Sequence, residues 1–348
     1  MTLVAGVSFI DDIRSLPDSV RLAAQFVAMA MMFYQLDLLH WDMWWMVIVA
    51  LVVCVGASNI INFMDGVNGI TGAYALASLV PLALLNSSMG FVDQSLIYVV
   101  VLADVVFCCF NFRPKGKAKC FAGDVGSIGV AYILLFLIGS LVLATGDITW
   151  LIFLLVYGVD GCLTICHRIM LHENLGEAHR KHVYQLMANE LKIGHVKVSS
   201  FYALLQLAVS VGFIFLCPVL ESACGLSLVA WHWIYLFVAL ALLSVAYVLF
   251  KMKYYHLHEE YLASLRRPWG GEAALTLPGI IVGLWLEWGG FGYALVVRLF
   301  RRCLVVRRVR EFWYMEVPSC TEWKINSAMV SFNPNCYVEV GKGVWMRR

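Results

Sequence analysis

The chain has 348 residues, 61% of them hydrophobic and 14% charged, with a formal net charge of +2. Soluble domains average about 45–50% apolar and about 25% charged residues, so a water-soluble globular protein is excluded and lipid is the natural solvent. The net charge carries little information by itself and no nucleic-acid partner is expected; the placement of the charges decides more.

In chain order, the apolar run Met1–Phe9 is too short to cross a bilayer, which takes about 20 residues. It reads as the end of a helix whose beginning is missing, and no cleavable signal peptide is visible. Apolar stretches near 20–36, 44–62, 69–86, 95–111, 126–144, 149–167, 199–218 and 229–250 each predict a transmembrane helix. Helices are the natural form because a helix satisfies its own backbone in lipid. A ninth stretch, roughly 274–297, is weaker because it holds Glu287 and several glycines. The expected fold class is all-α: a polytopic transmembrane helical bundle of eight or nine spans with an irregular C-terminal tail. Neither low-complexity segments nor internal repeats are present.

Charge alternates between the loops. Those at 11–21, 112–124, 168–198 and 251–268 carry Arg14, Arg21, Arg113, Lys115, Lys117, Lys119, Arg168, Arg180, Lys181, Lys192, Lys197, Lys251, Lys253, Arg266 and Arg267. Those at 37–43, 87–94, 145–148 and 219–228 contain no lysine or arginine. By the positive-inside rule the first set is cytoplasmic. Most of the 11 cysteines, such as Cys54, Cys108, Cys109, Cys162 and Cys166, lie in or at the ends of apolar runs, where a thiol acts as a small hydrophobe. Only Cys217 and Cys224, flanking a short loop, leave a disulfide open.

Four polar clusters fall on the basic side: Asp11-Asp12; Asn59, Asn62, Asp65 and Asn68; Gly123-Asp124 with Gly126-Ser127; and His179-Arg180-Lys181-His182. Singly, the acids read as solvated loop residues, Asp124 as a helix cap, and the basic run as a headgroup contact. The Asn59 cluster resists that reading, since polar groups stacked at the end of a span are costly unless they bind something or line a cavity. Together, acids and amides suit a hard divalent cation, and the histidines, Arg180 and Lys181 suit phosphate. No phosphate-binding glycine loop of the NTPase type is present. Asp104 and Asp160 lie within spans, and Asp160, Thr164 and Arg168 share a helix face. A structural polar ladder and a substrate-facing one are both open there.

FIDDIRSLP at 9–17, NIINFMDGVNGITG at 59–72, AGDVGSIG at 122–129, the Asp160…Arg168 helix and AHRKHVYQ at 178–185 resemble the polyprenyl-phosphate N-acetylhexosamine-1-phosphate transferase family, glycosyltransferase family 4. The FMDGVNG and HRKHVYQ forms look closer to its O-antigen and capsule initiating branch than to its peptidoglycan enzyme. The resemblance covers about residues 1–255 and implies truncation at the N-terminus, because members usually have further spans before the DD motif.

The resemblance implies transfer of a sugar 1-phosphate from a UDP-N-acetylhexosamine to polyprenyl (undecaprenyl) phosphate with release of UMP. Asp124 would be the principal Mg²⁺ ligand, with Mn²⁺ an alternative, and Asp65 would lie beside it as a second ligand. Asp11 and Asp12 would orient the lipid phosphate. Asn59, Asn62 and Asp65 would line the nucleotide-sugar pocket near the metal, with Asn68 also substrate-binding, and His179, Arg180 and His182 would contact the diphosphate or sugar. Many members carry a second aspartate where this chain has Asn68. The implied location is a bacterial inner membrane, multi-pass, with a cytoplasmic site and with a homodimer left open.

Two other readings stand beside this one. A catalytically impaired remnant would keep the motifs without the helices around them. A lipid or polysaccharide transporter would place its polar groups near the midplane and often show repeated halves, which this sequence lacks. Residues 256–297 read as a loop plus the weak hydrophobic segment, and 298–348 as a basic tail with short β-type runs. The stretch from Asn335 to Trp345 resembles one coil of a hexapeptide-repeat acyltransferase, too little for a β-helix.

Overall fold

The computed structural model describes residues 1–14, 16–39, 42, 44–174 and 179–266, and the backbone of strands at 305–309, 312–316, 337–341 and 344–347. The chain divides into two units, Met1–Glu259 and Glu260–Arg348. In chain order the helices are α1 (Thr2–Ile13), α2 (Asp18–Gln35), α3 (Trp44–Phe63), α4 (Ile70–Met89) and α5 (Gln94–Asn111). After α6 (Gly123–Thr145), a 3₁₀ segment Ile148–Leu154 runs into α7 (Leu155–Met170). Then come α8 (Val183–Asn189), α9 (His195–Cys224) and α10 (Leu228–Arg266), with α10 side chains described as far as Leu262.

Among the described residues, seven stretches are long and apolar enough to cross a bilayer: α3, α4, α5, α6, the 3₁₀ segment with α7, α9 and α10. This is a multi-pass membrane protein. The eighth expected span, α2, is helical but carries Asp18, Arg21 and Gln25. Its packing reflects the mixture, with Gln25, Ala28, Met29 and Phe33 buried.

Burial divides the helices into inner and outer. In α4, 61% of the apolar window is buried, against 17% in α3 and in α5. Leu79 and Leu82 of α4 meet Leu134, Leu137, Ile138 and Leu141 of α6 in the largest core cluster, which Phe213 of α9 joins. The outer helices expose Ile48, Val49, Val52 and Val53 on α3 and Val99, Leu102 and Val106 on α5. In water such faces would be a liability; in a bilayer they meet acyl chains.

A helix break inside an apolar span frees backbone groups that lipid cannot satisfy. At the junction of the 3₁₀ segment and α7, Gln206 of α9 meets that need. Its side-chain amide nitrogen donates to the Ile152 carbonyl at 3.0 Å, and its oxygen accepts from the Val156 amide at 3.1 Å and the Tyr74 hydroxyl at 2.7 Å. Tyr74 stacks on Tyr157 with ring centroids 3.5 Å apart.

Four details differ from the sequence reading. Asp11 and Asp12 lie in the last turn of α1, because the helix continues to Ile13 rather than ending with the apolar run. Asp65 lies beyond the end of α3, since the helix stops at Phe63 and Met64–Asp65 turns ahead of Gly66. Cys217 and Cys224 are both free, because α9 runs through Pro218 to Cys224 and places both on one helix. The long basic loop contains a helix of its own, α8.

The ninth expected span, 274–297, lies outside the described residues. In the second unit, β1 (Val305–Val309) pairs antiparallel with β2 (Phe312–Glu316), and β3 (Tyr337–Gly341) with β4 (Val344–Arg347). The pairing of β3 with β4 is that of a hairpin.

Candidate active site

The acids gather where α1, the turn after α3 and the start of α6 meet. Arg21 of α2 organises them: its Nε lies 3.2 Å from Asp11 Oδ2 and its Nη2 lies 3.0 Å from Asp124 Oδ2. Asp11 also accepts the Leu16 amide at 2.6 Å, which closes the chain after α1. Asp124 stands in the first turn of α6, where the positive end of the helix dipole favours a carboxylate. Gly123 has φ +59°, and a Cβ there would sit 3.0 Å from Asp12 Oδ2, so glycine is what lets Asp12 approach α6.

Asp65 completes the group and accepts the Thr71 hydroxyl at 2.6 Å. Burial pushes its carboxyl up to about 6; the Thr71 hydroxyl and the Gly123 amide oppose the shift, while the charges of Asp124 and Asp12 add to it. Four carboxylates thus share one site, and Arg21 is the cation that bridges two of them. Among the described residues no three His, Cys, Asp or Glu side chains form a ready metal cage.

The amides tie this group to the bundle. Asn59 Nδ2 donates to Gln25 Oε1 at 2.6 Å and to the Val55 carbonyl at 2.8 Å, while Gln25 returns a 3.3 Å bond to Asn59 Oδ1. That pair joins α2 to α3. Asn62 Oδ1 accepts from Ser127 Oγ at 2.8 Å, which joins α3 to α6. Asn68 Nδ2 donates to the carbonyls of Arg113 and Pro114 at 3.0 and 3.1 Å. An aspartate in that position has no proton to give, so here the amide fixes the loop after α5.

The histidine loop is assembled around Asp160 of α7, which is 3% exposed. Its carboxylate accepts from the Tyr202 hydroxyl at 2.6 Å, the Val183 amide at 3.1 Å and Thr164 Oγ1 at 3.2 Å, and faces His182 Nδ1 at 3.3 Å. Of the two readings left open for Asp160, the structure shows an anchor that holds the start of α8. Arg168, on the same face, pairs with Glu173 at 3.3 Å, and Glu173 also pairs with Lys181. Arg180 is half-buried in the same loop.

His179 and His182 lie with ring centroids 4.9 Å apart. His182 Nε2 and His179 Nδ1 are buried without a hydrogen-bond partner among the described residues. Burial, reinforced by His182, Arg168, Lys181 and Lys251, pushes His179 down to about 3, so it is a neutral imidazole. The loop abuts the acid turn. His179 packs edge-on against Phe63 at 6.2 Å, and the Tyr184 hydroxyl donates to the Phe63 carbonyl at 2.8 Å. A Cβ on Gly66 would lie 2.3 Å from that hydroxyl oxygen, so only glycine fits between Asp65 and Tyr184.

Residues 1–143 match the model of glycosyl transferase family 4. The match takes in 143 of the chain's 348 residues. It contains Asp11, Asp12, Asn59, Asn62, Asp65, Asn68 and Asp124, and stops short of the histidine loop. Phospho-N-acetylmuramoyl-pentapeptide-transferase of Thermotoga neapolitana is 33% identical over 86 residues, 25% of this chain and 27% of that protein. The protein of the same name from Kosmotoga olearia is 35% identical over 102 residues, 29% of each chain. That of Streptococcus pyogenes serotype M5 is 35% identical over 81 residues, 23% of each. The matched stretches span less than a third of these relatives' length.

Within the glycosyl transferase family 4 segment, Arg21 and Gln25 are partners that the sequence reading passed over. Arg21 counted there only as a loop charge, yet the i, i+4 spacing of Arg21 and Gln25 on a helix facing two polar clusters was the available signal. Outside that segment, the roles of Glu173 and Lys251 were also missed, because their contacts depend on how distant helices meet.

Proposed function

We propose that this chain transfers an N-acetylhexosamine 1-phosphate from a UDP-sugar to polyprenyl phosphate, releasing UMP, at the cytoplasmic face of a bacterial inner membrane. One observation carries the reading: four carboxylates converge, two of them paired with Arg21, beside a loop bearing His179, Arg180 and His182, at the end of the bundle where lysine and arginine concentrate. Substrates rich in phosphate need cations and hydrogen-bond donors of this kind.

In the proposed reaction an oxygen of the lipid phosphate attacks the β-phosphorus of the UDP-sugar. The new P–O bond forms as the bond from that phosphorus to the bridging oxygen breaks, and the electron pair leaves with UMP. Asp11 and Asp12 orient the attacking phosphate, and Arg21 keeps Asp11 and Asp124 in register. His179, being neutral, serves the diphosphate or sugar through a hydrogen bond, and Arg180 serves it through charge.

Asp124 and Asp65 fit a hard cation such as Mg²⁺ or Mn²⁺, which takes one or two carboxylates and completes its shell with waters and substrate phosphates. When bound, that ion neutralises diphosphate charge and stabilises the leaving group.

A second reading follows from the names of the relatives: the transferred group is phospho-N-acetylmuramoyl-pentapeptide, with a role in peptidoglycan rather than in O-antigen or capsule synthesis. UMP release by membranes containing the full chain, given polyprenyl phosphate and Mg²⁺, separates the two. Turnover of UDP-GlcNAc supports the first, and turnover of the UDP-muramoyl-pentapeptide alone supports the second. No release with either donor, from a chain shown to be folded, would leave a remnant that keeps the motifs without the activity. The concentration of the polar groups at one end, rather than at mid-span, weighs against a transporter.

A further inference from the structure

The last helix, α10, does more than cross a bilayer. At about 1.5 Å per residue its 39 residues run well past the roughly 30 Å of a hydrocarbon core. Its basic end presents Tyr247, Lys251, Tyr255 and His258, spaced 4, 4 and 3 apart and therefore on one face. Each has a partner in α7 or in the histidine loop and its continuation. Tyr247 and Thr164 share a hydrogen bond of 2.8 Å between their hydroxyls. The Tyr255 ring meets His167 edge-on at 4.8 Å, and His258 Nδ1 lies 2.7 Å from Glu190 Oε1, just after α8.

Lys251 is the centre of this face. It is 8% exposed, and burying an ammonium is costly unless it is bonded. Its Nζ donates to the backbone carbonyl of Lys181 and lies 5.4 and 5.0 Å from the ring centroids of Tyr247 and Tyr255. The carbonyl it grips belongs to the residue immediately before His182. The side chain of Lys181 then pairs with Glu173, which pairs with Arg168 of α7. A continuous polar chain thus runs from α10 through the loop to α7.

We propose that Lys251 is a positioning residue for the proposed transferase, and that the basic end of α10 is a brace that fixes the His179–His182 loop for the UDP-sugar donor. This rests on the functional reading above, but the brace is measurable without it. The exposed lysine of the same turn, Lys253, has no such role and serves as the control.

The experiment compares the full-length chain with Lys251→Met, Lys251→Arg and Lys253→Met by hydrogen exchange over residues 171–190 and by donor-dependent UMP release. Lys251→Met is expected to speed exchange of the loop amides about tenfold or more. It should raise the donor KM about tenfold with kcat changed by less than about threefold, as expected when binding geometry is lost. Lys251→Arg should recover most of both, and Lys253→Met should match the parent.

If Lys251→Met does not accumulate, Lys251→Gln, which keeps a donor without the charge, takes the same measurements. Unchanged loop exchange overturns the brace whatever the activity. Faster exchange with unchanged KM overturns the positioning role. Faster exchange in a chain whose parent releases no UMP overturns the transferase reading and leaves the brace standing.

Discussion

The acid cluster and the histidine loop lie side by side and solve opposite problems. In the loop, Asp160 has a hydrogen bond or close contact from Tyr202, Val183, Thr164 and His182, and Glu173 is shared by Arg168 and Lys181. Its negative charge is satisfied internally, and among the described residues the buried His179 Nδ1 and His182 Nε2 are left without a hydrogen-bond partner. In the acid cluster the charge exceeds its partners: Arg21 pairs with Asp11 and Asp124 only, and Asp65, pushed up to about 6 chiefly by burial, feels the charges of Asp124 and Asp12 as well. Satisfied carboxylates hold a backbone in place; unsatisfied ones at one spot are poised for a cation. The family match covers the cluster and not the loop.

The comparison breaks most visibly at Asp160. Asp160→Asn leaves the Tyr202 hydroxyl, the Val183 amide and His182 without the charged acceptor, and should cost about 3 kcal/mol, the scale for breaking a buried charged network. A fall in the thermal midpoint in detergent would show it, and an unchanged midpoint would mean that the loop is held by something else.

Asn68→Asp sharpens the other side. It replaces a donor to two carbonyls with an acceptor, and should destabilise the chain by about 2 kcal/mol. Chemical denaturation of the purified variant reads this directly. A gain in stability would place the Asn68 side chain away from Arg113 and Pro114.

The seam between the regions is tested by Gly66→Ala. The added methyl meets the Tyr184 hydroxyl, so a cost of about 1–2 kcal/mol is expected from overpacking. Tyr184→Phe in the same chain should return part of it. Because Tyr184→Phe also loses the bond to the Phe63 carbonyl, the reference is Tyr184→Phe alone: a cost of Gly66→Ala as large in that background as in the parent would locate the strain elsewhere.

The smallest effect is a pH dependence. Burial holds the Asp65 carboxyl above the ordinary carboxylate range in the folded chain, so its contribution to stability is present at low pH and is lost as pH rises through about 6. In EDTA, Asp65→Asn should therefore gain on the parent as pH rises from about 4 to 7. Mg²⁺ should shrink the difference by stabilising the parent's carboxylate. A difference that is flat with pH would show that burial does not hold the Asp65 carboxyl above the ordinary range.

Much of the fold was legible because apolar runs of bilayer length have few alternatives to a helix. All eight expected stretches are helical; most ends agree to within about six residues, but α10 runs on to Arg266, well past the expected end at 250. Asp124 at the opening of α6 and the convergence of the acids followed from the placement of Gly123-Asp124 and Asp11-Asp12 near span ends. Less was legible where one residue's role depends on a distant helix. Arg21 reaches Asp124 across 103 positions, and Gln206 mends a backbone break 50 positions away. Asn68 reads as a departure in sequence and as a loop tie in space. The break at Gly66 takes Asp65 off the helix face that carries Asn59 and Asn62, and the three-residue step did not reveal it.

The most direct test of the account is UMP release by the full chain and by Asp124→Asn, each with polyprenyl phosphate, the preferred UDP-sugar and Mg²⁺. Lipid- and metal-dependent release is expected, falling by at least about 100-fold in Asp124→Asn, the scale for losing a group that stabilises transferring charge. Undiminished release by a folded Asp124→Asn protein would contradict it, and would take the acid cluster out of the chemistry.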